Sequence, residues 1–276
     1  MTKRTGTTRR LPTGLILVRL SVAFGGLPAV AGDPVPGDAS SQARIDEILT
    51  QLEKRGDDLK DIRCKVRFVE EDRVNLSKQV KTGDIRFLMT DTNPLFMIFF
   101  ERTVVDEIVG KREWYLFDGR WLSQGLERLQ QVTKQEYARE GETIDLFDLE
   151  TAPFPLPFGQ KKEKIRKNFD VTLLPPVEGD PPNTDHLSCA PKAESPMHRK
   201  YDRLEFFVMR DVHLPSRILV VKNDGYESNT ADFPDLTAKS INTGLTKKDF
   251  DPPSEWRKYK EVVEPLPPTP PSNPVP

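Results

Sequence analysis

From Ile62 onward, hydrophobic and polar positions alternate with a period of two, which predicts β-strands. Turn signals recur about every 8–12 residues, a spacing typical of an antiparallel barrel or sandwich. The predicted strands cover residues 64–69, 83–89, 95–100, 103–109, 129–137, 170–174, 204–209, 217–221, 228–233 and 236–241, with a short one around 186–189. The pattern therefore predicts a mainly β fold.

The strongest hairpin signal lies in residues 113–122, where Asp118-Gly119 stands between two apolar runs. With these two residues as the turn, Tyr115 faces Leu122 and Phe117 faces Arg120. Both faces of this hairpin are apolar, so we expect each of them to be covered. The pleat sends three side chains to each face: Trp114, Leu116 and Trp121 to one, and Tyr115, Phe117 and Leu122 to the other.

Before the first strand, the period is that of a helix. Ser41 is a candidate N-cap, and Gly56 is a candidate end of the helix. A single apolar stripe predicts that this helix lies on the sheet with its charged face in water. The stripe consists of Ile45, Ile48, Leu49 and Leu52. A second, short basic helix is predicted for residues 160–169.

The segment 153–159 contains three prolines, which exclude both a regular helix and a central strand. We expect it to run extended, with Phe154, Leu156 and Phe158 projecting to one side. Such a segment suits a movable flap over an apolar groove. The alternative is that the surplus of apolar residues simply fills a core.

The N-terminus predicts export. Residues 1–31 have a basic start, an apolar run and an Ala29-Val30-Ala31 cleavage site, as in a signal peptide. Residues 32–40 are then a linker, residues 41–263 the folded domain, and residues 264–276 a proline-rich disordered tail. The segment 1–31 holds five basic residues and no acidic one. Its removal changes the net charge of −2 to −7. That charge argues against nucleic acid and against electrostatic adhesion to anionic membranes.

Candidate chemistry is scarce, so we do not expect an enzyme, a cofactor or a metal. His186, His198 and His213 fall in or beside predicted loops without a ligand-spaced partner, which is typical of surface histidines. The acidic residues 145–150 do not have the spacing of a calcium loop. Cys64 and Cys189 form either one disulfide in an oxidising compartment or two separate buried thiols.

The order of these elements resembles the LolA family, periplasmic carriers of lipoproteins. The resemblance covers residues 41–263. It rests on the positions of Gly83-Asp84-Ile85, Pro94-Leu95-Phe96, Asp118-Gly119 and Phe250-Asp251-Pro252-Pro253. It implies an α+β fold, an unclosed antiparallel half-barrel whose concave face is covered by the N-terminal and mid-chain helices. Two departures concern the lid: Asn93 stands where the family has an arginine, and Pro155 and Pro157 stand where it has a lid helix.

The function implied is that of a soluble periplasmic monomer that binds acyl chains of lipoproteins or lipids for transfer towards the outer membrane. Transfer proteins in the inner and outer membranes are the implied partners. The alternative is a regulatory or sensor module of the same fold that acts in envelope-stress signalling by protein contact. The expected lipid-binding residues are Phe87, Met97, Phe99, Tyr115, Phe117, Phe154, Leu156, Phe158, Ile48 and Leu52.

Overall fold

The computed structural model describes residues 39–90, 93–142 and 158–267, which form one large sheet and two α-helices. The predicted signal peptide lies outside the described residues. The helices are α1 (Ala39–Asp57) and α2 (Lys162–Asn168). The strands are β1 (Asp61–Asp72), β2 (Ser77–Leu88), β3 (Leu95–Val105), β4 (Ile108–Val109), β5 (Glu113–Phe117), β6 (Trp121–Leu126), β7 (Gln131–Glu136), β8 (Phe169–Leu174), β9 (Thr184–Pro191), β10 (Tyr201–Met209), β11 (Pro215–Lys222), β12 (Glu227–Asp232) and β13 (Lys260–Glu264).

The sheet has 13 strands in the order β13-β7-β6-β5-β3-β2-β1-β12-β11-β10-β9-β8, with β4 paired to β3. Neighbours are antiparallel except for β13, which runs parallel to β7. The two edge strands, β13 and β8, do not pair with each other in the described part of the chain, so the barrel is unclosed. This confirms the predicted half-barrel. Strand β1 lies inside the sheet, between β2 and the distant β12.

Helix α1 buries the predicted stripe, and all four of its apolar residues are about 1% exposed. The helix is held to distant strands by polar contacts. Arg55 Nε donates to the carbonyl of Val212 at 2.9 Å, and Arg44 forms an ion pair with Asp185 at 2.7 Å. Helix α2 confirms the predicted basic helix and lies beside α1, where Arg166 pairs with Asp46 at 2.6 Å.

The hairpin is present, but its predicted register is wrong. Phe117 pairs with Leu122 and Tyr115 with Gln124, so the two central turn residues are Gly119 and Arg120. The Asp118 carboxylate accepts the backbone N–H groups of Arg120 and Trp121. This side-chain bonding moves the turn by one residue. The pairing changes by two positions, so each residue keeps its predicted face.

Two predicted strands are corrected. Residues 103–109 are not one strand, because β3 continues to Val105 and then turns back at Asp106 and Glu107 into β4. Both turn residues have positive φ, as a tight hairpin turn requires. Residues 236–241 are not a strand either. They contain a short 3₁₀ helix, Ala238–Ser240, and their β-pairing with the described sheet is limited to one bridge between Ile62 and Ile241.

The C-terminal segment covers the convex side of the hairpin. Phe250 and Trp256 form a second buried cluster with Trp114, Met97 and Val132. The 3₁₀ turn Ser254–Lys258 and then β13 continue this segment to about residue 263, where the sequence analysis placed the end of the domain. The first residues of the predicted tail also contact the sheet: the Leu266 N–H donates to the Glu136 carboxylate at 2.9 Å. Residues from 268 onward lie outside the described part.

Candidate functional site

A groove of about 430 Å³ lies on the concave face of the sheet. One wall comes from β1, β2, β3 and β5, and the other from β10, β11 and β12. Its apolar lining consists of Val66, Phe68, Ile85, Phe96, Ile98, Phe100, Tyr115, Tyr201, Ile218, Val220, Ala231 and Phe233. Several of these residues also belong to the main buried cluster, so the groove is an open continuation of the core.

The period of two explains why these residues converge. On β3, Phe96, Ile98 and Phe100 point to the concave face and line the groove. Met97 and Phe99 therefore point to the convex face, where they join the cluster around Trp114. The structure thus separates these two residues from the groove in which the sequence placed them. The run 95–100 is apolar on both faces, so its pattern alone does not tell which alternate set points inward.

The other predicted residues lie on the concave side, mostly behind the groove. Tyr115 lines it directly. Phe158 is fully buried and packs against the groove residue Phe233 with ring centroids 5.2 Å apart. Phe154 and Leu156 lie outside the described residues. Four further residues are at most 1% exposed within the main cluster: Phe87, Phe117, Ile48 and Leu52.

One end of the groove is polar. Lys81 Nζ lies 2.9 Å from the Glu113 carboxylate and 3.5 Å from that of Glu70. The Tyr115 hydroxyl donates to Glu113 at 3.2 Å and accepts from Gln124 Nε2 at 3.0 Å. One ammonium against two carboxylates leaves this end with a net charge of −1. It does not favour an anionic head group.

The pKa shifts agree with this arrangement. Burial by itself lowers the pKa of Lys81, but the hydrogen bond to Glu113 and the surrounding negative charge raise it overall. Burial also raises the pKa of the Tyr115 hydroxyl. At neutral pH, Lys81 is therefore charged and Tyr115 is not.

His186 is not the surface histidine that the sequence suggests. It lies in β9, about nine-tenths buried, with its ring stacked on Phe207 at a centroid distance of 4.0 Å. Its Nε2 lies 3.1 Å from Glu205, and Nδ1 lies 3.6 Å from Asp180. The two carboxylates therefore lie next to different nitrogens of the His186 ring. Within residues 39–90, 93–142 and 158–267, no three histidine, cysteine or acidic side chains form a candidate metal site.

Cys64 and Cys189 are both buried and free. Of the two readings left open by the sequence, the structure has the separate thiols. Burial is the main cause that raises the pKa of both, to about 12 for Cys189. Neither thiol is therefore a reactive nucleophile in the folded protein.

None of the described helices has the length and hydrophobicity needed to span a membrane.

No protein-family model matches the chain, and no curated protein sequence does. Several solved structures are similar. An uncharacterized conserved protein from Thermus thermophilus has a TM-score of 0.44 at 12% identity, over 80% of this chain and 99% of that one. The MucA/MucB complex of Pseudomonas aeruginosa has a TM-score of 0.42 at 17% identity, over 77% of this chain and 62% of that one. A LolA superfamily protein from Nitrosomonas europaea has a TM-score of 0.33 at 12% identity, over 75% of this chain and 97% of that one. All three TM-scores lie below 0.5, so the fold description rests on this chain's own sheet and helices.

Proposed function

We propose that the protein is a carrier or chaperone that binds acyl chains of lipoproteins or lipids in the concave groove. The observation that supports this most is the groove itself, an apolar channel of about 430 Å³ that the side chains of the sheet and helices leave unfilled. Sites that bind small molecules are typically concave, mostly apolar clefts of about 300–1,000 Å³. A space of this size therefore favours a bound apolar ligand over a simple core.

The volume limits what fits. A methylene takes about the space of a water molecule, roughly 30 Å³, so the groove accepts on the order of 14 carbons. This is one acyl chain rather than several. Transfer of a chain from water gains about 0.8 kcal/mol per methylene, or roughly 10 kcal/mol for a dozen carbons before the costs of association.

The wider setting is part of the same proposal. A signal peptide at residues 1–31 would deliver a soluble monomer to the periplasm. There it would receive its cargo at the inner membrane and release it towards the outer membrane, through transfer proteins in each. Export of a fusion of residues 1–40 to a reporter that is active only in the periplasm tests this location.

The second candidate is a regulatory module that acts by protein contact in envelope-stress signalling. The two functions predict different partners. A carrier should co-purify with lipoproteins or lipid, whereas a regulator should retain one inner-membrane protein whether or not lipid is present. Affinity purification from envelope extract, with and without added lipid, separates them.

The groove is tested by filling it. Ala231 lines the groove and is half-buried, so Ala231→Phe adds volume without adding charge. The matched control is Thr230→Phe, one residue earlier and on the convex face. We expect delipidated wild type and Thr230→Phe to take up a fluorescently labelled alkylamine with a twelve-carbon chain. Ala231→Phe should bind this probe at least about tenfold more weakly.

Equal binding by all three proteins would show that the ligand does not enter the groove. Absence of uptake by the wild type, together with no lipid in an organic extract of the purified protein, would reject the proposal.

A further inference from the structure

Exposed hydrophobic side chains gather on three neighbouring turns at one end of the sheet. We call these turns the tip surface. They follow β1, β3 and β11, whose strands are close together in the sheet. The exposed side chains, with their exposed fractions, are Val74 (66%), Leu76 (88%), Ile108 (74%), Val109 (61%) and Tyr226 (56%). The Arg73 N–H donates to the Tyr226 carbonyl at 3.1 Å, which joins two of the turns directly.

The first of these turns has an unusual backbone conformation. Leu76 has a φ of +51°, a left-handed conformation that is an outlier for a bulky residue. The turn is held in place by Asp72, whose carboxylate accepts the N–H groups of Val74 and Asn75 at 2.8 and 3.0 Å. Stability alone would favour asparagine or glycine at position 76. A fully exposed leucine in a strained conformation points to a role in binding.

The tip surface adjoins the open, polar end of the groove. Glu70 and Lys81 of the groove lie on β1 and β2, the strands that lead into the first of these turns. A shallower cleft shares Glu70 and Asn229 with the groove and continues to Lys78 and Val105 near the turns. A ligand that leaves the groove at this end therefore emerges beside the tip surface.

Charge and side-chain type indicate the partner. The turn segments 72–78, 105–111 and 222–227 contain four basic and five acidic residues, so they offer no attraction to anionic lipid. The exposed residues are aliphatic apart from one tyrosine and stand on separate turns. Protein hot spots are instead clusters rich in tryptophan, tyrosine and arginine. Aliphatic side chains on neighbouring projecting turns can insert at the boundary between head groups and acyl chains, where the buried apolar area contributes to binding.

We propose that the tip surface docks on a lipid bilayer with neutral head groups, inserting Leu76, Val74 and Ile108, and so brings the open end of the groove to the membrane. The reason for docking rests on the proposed function, but the docking itself is measured separately.

The test is co-sedimentation of the purified protein with phosphatidylcholine vesicles. The variant is the double substitution Leu76→Asn/Ile108→Asn, in which asparagine tolerates the left-handed backbone at position 76. The control is Val177→Asn, which is also 61% exposed but lies in the loop between β8 and β9, at the opposite end of the sheet. We expect the double variant to bind at least about tenfold more weakly and the control to bind like wild type. Binding should survive high salt.

Three results would overturn the docking: no binding of wild type to these vesicles, an equal loss in Val177→Asn, or binding that requires anionic lipid and disappears in salt. Circular dichroism and urea unfolding of the double variant show whether it is folded; we expect a stability equal to or above that of wild type. The groove-filled Ala231→Phe should still bind vesicles, so a failure of the carrier proposal leaves this test intact.

Discussion

The six-membered part of the Trp256 ring lies directly over the Cα of Gly125, and a β-carbon at position 125 would overlap it. Gly125 lies on β6, opposite Trp114, which packs against the same indole. Because Gly125 has no side chain, the Trp256 ring of the C-terminal segment can pack directly against β6. This contact covers the convex face of the hairpin and shields Trp114 from solvent, as the two apolar faces of the hairpin led us to expect.

Gly125→Ala should displace Trp256 and lower the free energy of unfolding by about 1–3 kcal/mol, as overpacking does elsewhere. Urea unfolding followed by tryptophan fluorescence measures both the loss and the change around the indole. Gly110→Ala is the control, because a β-carbon there meets Thr103 at an ordinary 3.4 Å. A variant at position 125 as stable as this control would contradict the described packing.

Removing the charge of Lys81 alone should destabilise the fold more than removing it together with the charge of its partner Glu113. Its side chain and that of Glu113 are 11% and 17% exposed, so Lys81→Met leaves a carboxylate largely buried without its cation. We expect a loss of about 3 kcal/mol for this variant. The double variant Lys81→Met/Glu113→Gln should recover at least about 1 kcal/mol of it in a double-mutant cycle. Additive losses would mean that the pair is not coupled.

Glu205 should contribute to acid sensitivity. The hydrogen bond from His186, followed by that from Arg203, holds the pKa of this carboxyl below its ordinary value of 4.5. Because the folded pKa is the lower one, the stabilisation is complete above the unfolded value and is lost as the pH falls through the folded pKa. Unfolding free energies between about pH 6 and pH 3 should therefore fall less steeply in Glu205→Gln than in wild type. Parallel pH curves would contradict this.

The two thiols should be inert until the protein unfolds. Since burial raises the pKa of Cys64 and Cys189, a disulfide-exchange reagent such as DTNB at about pH 8 should label neither in native protein. Two thiols should react in denaturant without prior reduction. Denatured protein that needs a reductant before it reacts would instead reveal a disulfide.

The period of the sequence was sufficient to predict most of the architecture. The stripe of α1, the basic helix α2 and the strands on either side of the hairpin at 113–122 follow from local patterns that tertiary contacts reinforce. The register of that hairpin did not follow, because the Asp118 side chain competes for the turn N–H groups. Strand β13 was also missed: its parallel partner β7 is distant in sequence, and residues 260–264 alternate too weakly to signal a strand.

The groove was only partly predictable. Tyr115, one of the expected lipid-binding residues, lines the groove, whereas the lining from β1, β11 and β12, such as Phe68, Val220 and Ala231, was not identified from the sequence. The register between β2 and β3 identifies the groove residues of β3. Ile85 of β2 lines the groove and pairs with Ile98, so the even-numbered residues of β3 point to the concave face. Sequence alone does not give that register, which runs unbroken from the Leu88–Leu95 pair to the Gly83–Phe100 pair and shifts only at the bulge between Thr82 and Gly83.

The position of β1 in the sheet has a consequence for the order in which the domain can form during synthesis. Arg67 of β1 lies opposite Asp232 of β12, 165 residues later. The wall from β1 to β5 can form as soon as those residues emerge, but the facing wall joins it only after β12 is complete. A chain that is still being translated therefore has no groove. Truncation before residue 227 removes β12, and with it the link to the facing wall, without removing any residue of the first wall.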